Sequence, residues 1–324
     1  MKRREFIAGL GSTAAWPIVA RGQQKRAPMI GYLHFASPQG LFAYQPTALR
    51  QGLSETGYIE GRNIAIDYRW AEGMISRVPA LASDLVRRKV DVIVAVGPPC
   101  ARAAKDATST IPIVFAVGTD PVADGLVDSL ARPGGNLTGV SMLAVDLTAK
   151  RLDLLSELVP QAQEIALLVN PKKVNPWIRD MHEATRVKGM QLQILEASTE
   201  SEIDAAFATL VQQHADALVI GDDVLFTSRR DQLVALASRY SIPTIDRWRE
   251  FAASGGLISY GPSLTAVNHQ LGIYAGRILK GEKPSDLPVQ QPTEFEFVIN
   301  LKTAKALHVT VPPTLIARAD EVIE

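Results

Sequence analysis

Residues 111–139 read IPIVFAVGTDPVADGLVDSLARPGGNLTG, and the reading of this stretch decides the fold. Pro112 to Val117 is continuously apolar and rich in β-branched residues, as a parallel strand covered on both faces must be. Polar groups appear at its C-terminal end, in Gly118-Thr119-Asp120-Pro121. A buried strand that runs into such a turn is the junction at which α/β proteins hold small ligands. Asp120 is expected to cap a helix that begins near Pro121, with the free amides of its first turn facing the ligand.

Outward from this junction the chain repeats one plan. From Pro28 it runs PMIGYLHF, a helical stretch ending near Gly57, NIAIDYRW, a helix from about Val78 to Lys89, then VDVIVAVG and IPIVFAVG. From Glu164 the order recurs as EIALLVN, a helix ending near Gly189, MQLQILEA, a helix from about Glu200 to His214, then ADALVIGDD and IPTIDR. Within that last helix Ile203, Phe207, Leu210 and Val211 fall on one face, leaving Asp204 and Thr209 to solvent. Strands alternating with helices call for parallel sheets joined by right-handed crossovers. The expected fold is therefore α/β, with two similar doubly wound parallel-sheet lobes whose strand ends face a shared cleft.

The 324 residues suffice for two such lobes, each with its own core. Lys plus Arg and Asp plus Glu each number 34, so no net positive field exists to hold a polyanion, and no nucleic-acid partner is expected. After the N-terminus no apolar run approaches the roughly 20 residues that span a bilayer. The opening MKRREFIAGLGSTAAWPIVARGQQ has a basic head, an apolar middle and a small-residue exit, so residues 1–22 are read as an export signal to the periplasm. Arg3-Arg4-Glu5-Phe6-Ile7 fits a twin-arginine signal, with the general secretory route as the alternative. Cys100 is the sole cysteine, which rules out an internal disulfide and leaves no lipid-accepting cysteine at the signal end. His34, His182, His214, His269 and His308 lack metal-ligand spacing, and neither GxxxxGK nor GxGxxG follows any strand. Neither a metal nor a nucleotide cofactor is expected.

The candidate ligand-binding residues lie at the strand ends. The first half offers His34, Pro98, Pro99, Cys100, Gly118, Thr119 and Asp120, with the amides after Pro99 expected at a helix start where they can meet a carboxylate. No base stands near Cys100, so it is expected to be a packed small residue and not a nucleophile. The second half offers Asn170, Asn175, Asp222, Asp223, Asp246 and Arg247. Asp120 and Asp222 hold matching places, where each can take a ligand ammonium or hydroxyl or cap a helix. Arg247 can fork onto a carboxylate or form a plain ion pair. Trp248, Tyr260 and Trp177 can form an aromatic wall or fill the core. Such a mixed set suits an aromatic or branched carboxylate better than a sugar.

Pro112 to Phe115 joined to Asp120-Pro121, Pro133 to Asn136 with Thr138-Gly139, Asn175-Pro176-Trp177, Leu279 to Pro284 and the terminal VPPTLIARADEVIE together carry a resemblance. Over nearly the whole mature chain, the sequence resembles the ABC-transporter substrate-binding family that includes tryptophan and tyrosine binders. The resemblance implies a periplasmic binding protein-like, non-catalytic receptor, expected to be a monomer, that delivers a small-molecule ligand to an ABC permease in the inner membrane. It implies a first lobe of residues 28–143 plus 255–283 and a second of 144–254 plus 284–324, crossed about three times. Hinges are expected near Ser141 to Val145, Ser254 to Gly256 and Pro284 to Pro288. It also places Asn175 at the pocket, where it can equally cap a helix. Amino-acid-binding members often show a hydroxyl residue in the turn where this chain has Pro98 and Pro99. Two alternatives stand beside this reading. One is a two-lobed enzyme such as a racemase, with Asp120 and Asp222 acting across the cleft. The other is an exported ligand sensor.

Overall fold

The apolar run of the decisive stretch folds as a strand over Ile113–Val117, buried along its whole length. The structure, a computed structural model, describes residues 26–39, 42–142, 147–173 and 177–324. The first half runs β1 (Met29–His34), α1 (Gln45–Glu55), β2 (Ala65–Trp70), α2 (Val78–Arg87), β3 (Val92–Val96), α3 (Pro98–Ala107), β4 (Ile113–Val117) and β5 (Leu137–Ser141). The second begins with α4 (Leu147–Leu158), β6 (Glu164–Val169), α5 (Trp177–Val187), β7 (Gln191–Glu196), α6 (Glu200–Gln212) and β8 (Ala217–Ile220). It continues through α7 (Val224–Ser228), α8 (Arg230–Arg239), β9 (Thr244–Asp246), α9 (Arg249–Ala253) and β10 (Ile258–Pro262). The remainder is α10 (Leu264–Leu279), β11 (Phe295–Asn300), α11 (Leu301–Ala306), α12 (Pro313–Ile316) and β12 (Glu321–Ile323).

Five strands form the first sheet in the order β2-β1-β3-β4-β5, all parallel. Seven form the second, β7-β6-β8-β9-β10-β11-β12, so its first five repeat the order of the first sheet. Among the described residues only the β10–β11 pair is antiparallel. Each sheet is buried on both faces, which explains the unbroken apolar runs at β3, β4, β6 and β8. In the first lobe Tyr32, Leu49, Val94 and Leu271 pack on one side and Leu33, Leu85, Ala101 and Phe115 on the other. In the second, Leu155, Leu167 and Ile299 oppose Leu168, Phe207 and Leu233. The helices α1 and α10 touch backbone to backbone. A Cβ at Gly52 would stand 2.0 Å from the His269 carbonyl oxygen and one at Gly272 2.2 Å from that of Leu49. Among the described residues no helix is long and apolar enough to cross a membrane.

Two details of the expected organisation shift. Residues 255–262 do not return to the first lobe, because β10 is laid into the second sheet between β9 and β11. The chain crosses only after Pro262, at Ser263, which caps α10 through the Ala266 amide. Residues 284–290 likewise stay with the first lobe: Thr138 donates its hydroxyl to Leu287 O at 2.6 Å, and the Gln290 amide bonds Gly139 O at 2.9 Å. The last crossing thus falls between Gln290 and Phe295. In α6, Ile203, Phe207 and Leu210 are buried, but Val211 is 40% exposed, because the buried stripe runs through Ala206 instead. Residues 1–22, Asn175, the Trp177 side chain and positions 143–145 lie outside the described part of the chain.

Candidate functional site

The C-terminal ends of β1, β3 and β4 face those of β8 and β9 across a cavity of about 610 Å³. Such a volume fits a small organic molecule. Both sheets contribute where their strand order reverses direction, as expected for doubly wound folds.

On the first-lobe wall the polar groups are satisfied locally. His34 is buried at the end of β1; its Nδ1 accepts the Ala36 amide at 2.9 Å, so Nε2 carries the proton and donates to Gln45 Oε1 at 2.9 Å. Burial pushes its pKa down to about 4, the Gln45 bond opposing, and the ring is neutral at physiological pH. It stacks on Phe35 at 5.0 Å and tilts against Trp70 at 4.8 Å. Phe35 and Phe42 also line the cavity. At α3, Gly97 turns with φ +95°, and a Cβ there would stand 2.6 Å from the Phe35 ring, so only glycine suits the position.

Two expectations for this wall are overturned. The α3 start offers no amide to a carboxylate: Pro98 and Pro99 have none, and those of Cys100 and Ala101 both bond Gly97 O at 3.0 Å. No helix begins at Pro121 either. Residues 121–125 are turns, closed as the Leu126 amide bonds back to Pro121 O at 2.8 Å. Asp120 caps this loop, its Oδ1 accepting from the amides of Val122 at 2.9 Å and Ala123 at 3.3 Å. Those amides therefore point at Asp120 and not at a ligand. Thr119 donates its hydroxyl to Asp124.

The second-lobe wall is charged. Arg247, 7% exposed, pairs with Asp222, donates to Met142 O at 3.2 Å and lies over the Trp248 ring at 4.1 Å. Asp223 caps α7 through the Leu225 amide at 2.7 Å and pairs with Lys173 at 2.7 Å. Arg151 reaches in from α4, 6% exposed. Its Nε donates to Leu147 O and its Nη2 to Thr148 Oγ1, both at 3.2 Å, while Nη1 has no partner among the described residues. Burial, then the neighbouring Arg247, lowers its pKa to about 10, so it stays a cation at neutral pH. Behind this wall Asp246 accepts the Trp248 amide at 2.8 Å, and burial pushes its carboxyl up to about 6.

The walls also touch each other. Tyr44 donates to Glu250 across the cleft, and Arg230 lies over the Phe42 ring at 5.8 Å. A Cβ added to Gly118 would stand 3.1 Å from Asp222 Oδ2 and 3.2 Å from Arg247 Nη1.

Of the sequence candidates, His34, Pro98, Gly118, Thr119, Asp120, Asp222, Asp223, Arg247 and Trp248 line the cavity. Three do not. Pro99 lies inside the first turn of α3, off the cavity. Cys100 is packed into the first-lobe core, where burial pushes its thiol well up. Tyr260 stacks on Phe295 at 6.2 Å and packs against the second-lobe core, because β10 sits inside that sheet. The sequence reading missed Phe35, Phe42, Gln45, Arg151 and Lys173. Arg151 had left a signal: Thr148, Arg151, Leu152 and Leu155 share the buried face of α4, and a cation on an apolar stripe requires a reason. Among the described residues no group of three or more His, Cys, Asp or Glu is placed to hold a metal ion.

Residues 34–323 match a protein family described as ABC transporter substrate binding protein. The chain is 34% identical over 260 residues to a tyrosine-binding protein of Clostridioides difficile strain R20291, covering 79% of this chain and 74% of that one. A crystal structure of an ABC domain from Streptococcus pneumonia in complex with L-Trp is similar with TM-score 0.81 and 26% identity, over 91% of this chain and 99% of that one. The ligand-free, open structure of a substrate-binding protein with adhesive properties from Clostridium difficile gives TM-score 0.70 and 28% identity, over 92% and 99%.

Proposed function

We propose a function from one premise: the chain belongs to the ABC transporter substrate binding protein family. On this reading the cleft captures a small organic solute, the lobes close over it, and the closed form delivers it to an ABC permease in the inner membrane. Closure is a population shift driven by contacts that exist only when both walls touch the ligand. The observation that carries the reading is the cavity of about 610 Å³ lined from both lobes and bridged by Tyr44–Glu250, Phe42–Arg230 and Arg247–Met142. The better match to the L-Trp complex than to the ligand-free open structure supports a closed arrangement here. Aromatic lining by Phe35, Phe42 and Trp248 beside the guanidinium groups supports an aromatic or branched carboxylate or amino-acid-like solute. Residues 1–22 serve as the export signal and the mature receptor works in the periplasm as a monomer.

The family consists of ligand-binding proteins, which sets the racemase alternative aside. Its supposed acid–base pair is also engaged, Asp120 with its own loop and Asp222 with Arg247. Screening the purified chain by thermal shift against amino acids, aromatic and aliphatic acids, nucleosides and sugars tests the proposal. A solute at about 100 times its dissociation constant stabilises by about 2.7 kcal/mol. Hits from one chemical class, recovered unchanged, are expected, together with loss of uptake of that solute in cells lacking the chain. Binding without an uptake defect favours the sensor.

A further inference from the structure

A receptor wall announces its ligand by the polar groups it leaves unanswered. Each acidic side chain lining this cavity already has a partner. Asp120 holds the amides of Val122 and Ala123, Asp124 the Thr119 hydroxyl, Asp222 the Arg247 guanidinium, and Asp223 the Lys173 ammonium and the Leu225 amide. The donors divide differently. Arg247 is tied to Asp222, Met142 O and the Trp248 ring, and α3 presents no free amide behind Pro98 and Pro99. Neutral His34 donates its Nε2 hydrogen bond to Gln45 Oε1. Arg151 alone lines the cavity as a buried cation with an N–H that nothing in the described chain accepts. A buried charge without a full set of partners is costly, and Arg151 is one of the residues that line the cavity. The missing group is an anionic acceptor, and a guanidinium takes a carboxylate best.

We propose that Arg151 is the anchor for a ligand carboxylate, and that the solute is an aromatic or apolar carboxylate bearing no ammonium group. This rests on the receptor reading above and names the chemical class that the same cleft takes. The carboxylate sits against Arg151 on the second-lobe wall, and the apolar body extends toward Phe35, Phe42 and Trp248. The ligand thereby supplies the hydrogen-bond acceptor that Arg151 Nη1 lacks, and closure buries both.

Calorimetric titration of the full chain with 3-(4-hydroxyphenyl)propionate, L-tyrosine and tyramine separates the two groups, with glucose and adenosine as further probes. The propionate is expected to bind at least tenfold more tightly than L-tyrosine, and tyramine not at all. Arg151→Gln is expected to weaken propionate binding by about 10- to 100-fold, the loss of one hydrogen bond to a charged group. Arg151→Lys, which keeps the charge without the fork, should fall between. The ligand-free melting temperature of Arg151→Gln should equal or exceed that of the wild type, a result that a merely structural arginine would not give. If Arg151→Gln fails to fold, the affinity of Arg151→Lys and the wild-type probe series decide. Equal binding of L-tyrosine and the propionate, binding of tyramine, or an unchanged affinity in the arginine variants overturns the proposal. Binding of glucose or adenosine alone overturns it and leaves the receptor standing. Silence toward every probe, and toward the wider solute screen, sinks the receptor reading itself.

Discussion

On the first-lobe wall of the cleft His34 bonds Gln45, Thr119 bonds Asp124 and Asp120 bonds its own loop. On the second-lobe wall Arg247, Lys173 and Arg151 stand against Asp222 and Asp223, and one cation keeps an unmatched N–H. Both walls grow from the same strand order. A parallel sheet dictates where its strands end and says little about which residues follow them, so the loops diverge while the scaffold repeats. One copy of the plan supplies locally satisfied polar groups beside Phe35 and Phe42, and the other supplies the buried guanidinium groups.

If the charge of the second wall is structural as well as functional, removing its best-connected member should have the largest effect. Arg247→Leu leaves Asp222, Met142 O and Trp248 without their partner. A loss of about 3 kcal/mol is expected in urea unfolding, at the low end for a broken buried pair because Asp222 remains 30% exposed. A loss under about 1 kcal/mol would break the contrast between the walls.

The same contrast predicts opposite pH dependences. His34 titrates at about 4 in the fold against an ordinary 6.5, so its contribution is complete above pH 6.5 and is lost as pH falls toward 4, by roughly 3 kcal/mol. Asp246 titrates at about 6 against an ordinary 3.8, so its contribution is complete below pH 3.8 and is lost as pH rises toward 6, by a similar amount. In the wild type these slopes oppose each other. Asp246→Asn should expose the rise of stability with pH between 4 and 6.5, and His34→Gln the fall, read from unfolding midpoints at several pH values.

Contacts between the walls carry smaller effects. Tyr44→Phe removes the hydroxyl that answers buried Glu250, whose carboxyl burial already pushes up. A cost of about 1–2 kcal/mol is expected in the closed, liganded protein, with a smaller cost in the ligand-free one. Were the two costs equal, the pair would not be a contact made on closure. Smallest is Gly118→Ala, whose methyl would press on Asp222 and Arg247 from the opposite lobe. It should weaken ligand binding by about 0.5–1 kcal/mol while leaving the ligand-free melting temperature nearly unchanged.

Much of this was legible in local pattern. The runs at β3, β4, β6 and β8 are apolar because both sheet faces are covered, and residues just past the ends of β4, β8 and β9, such as Gly118, Asp222 and Arg247, were found at the cavity by their place alone. Reading failed where a neighbouring segment captures the group. Asp120 looked like a cap that freed amides for a ligand, and instead it consumes them. Tyr260 looked like cleft lining until β10 was drawn into the second sheet. Cys100 follows a strand end as the cavity residues do, yet one turn of α3 rotates it into the core.

By itself the sequence determined that this chain forms two covered parallel sheets with their strand ends free, because periodicity and strand-end chemistry are properties of neighbouring residues. Only the tertiary structure decided that Arg151 of α4, Phe42 of the loop before α1 and Gln45 at the start of α1 face one cavity, and where the chain crosses between lobes. Those facts depend on how helices rotate and how strands are ordered across long separations, which are fixed by packing between the layers and not by any local run of residues.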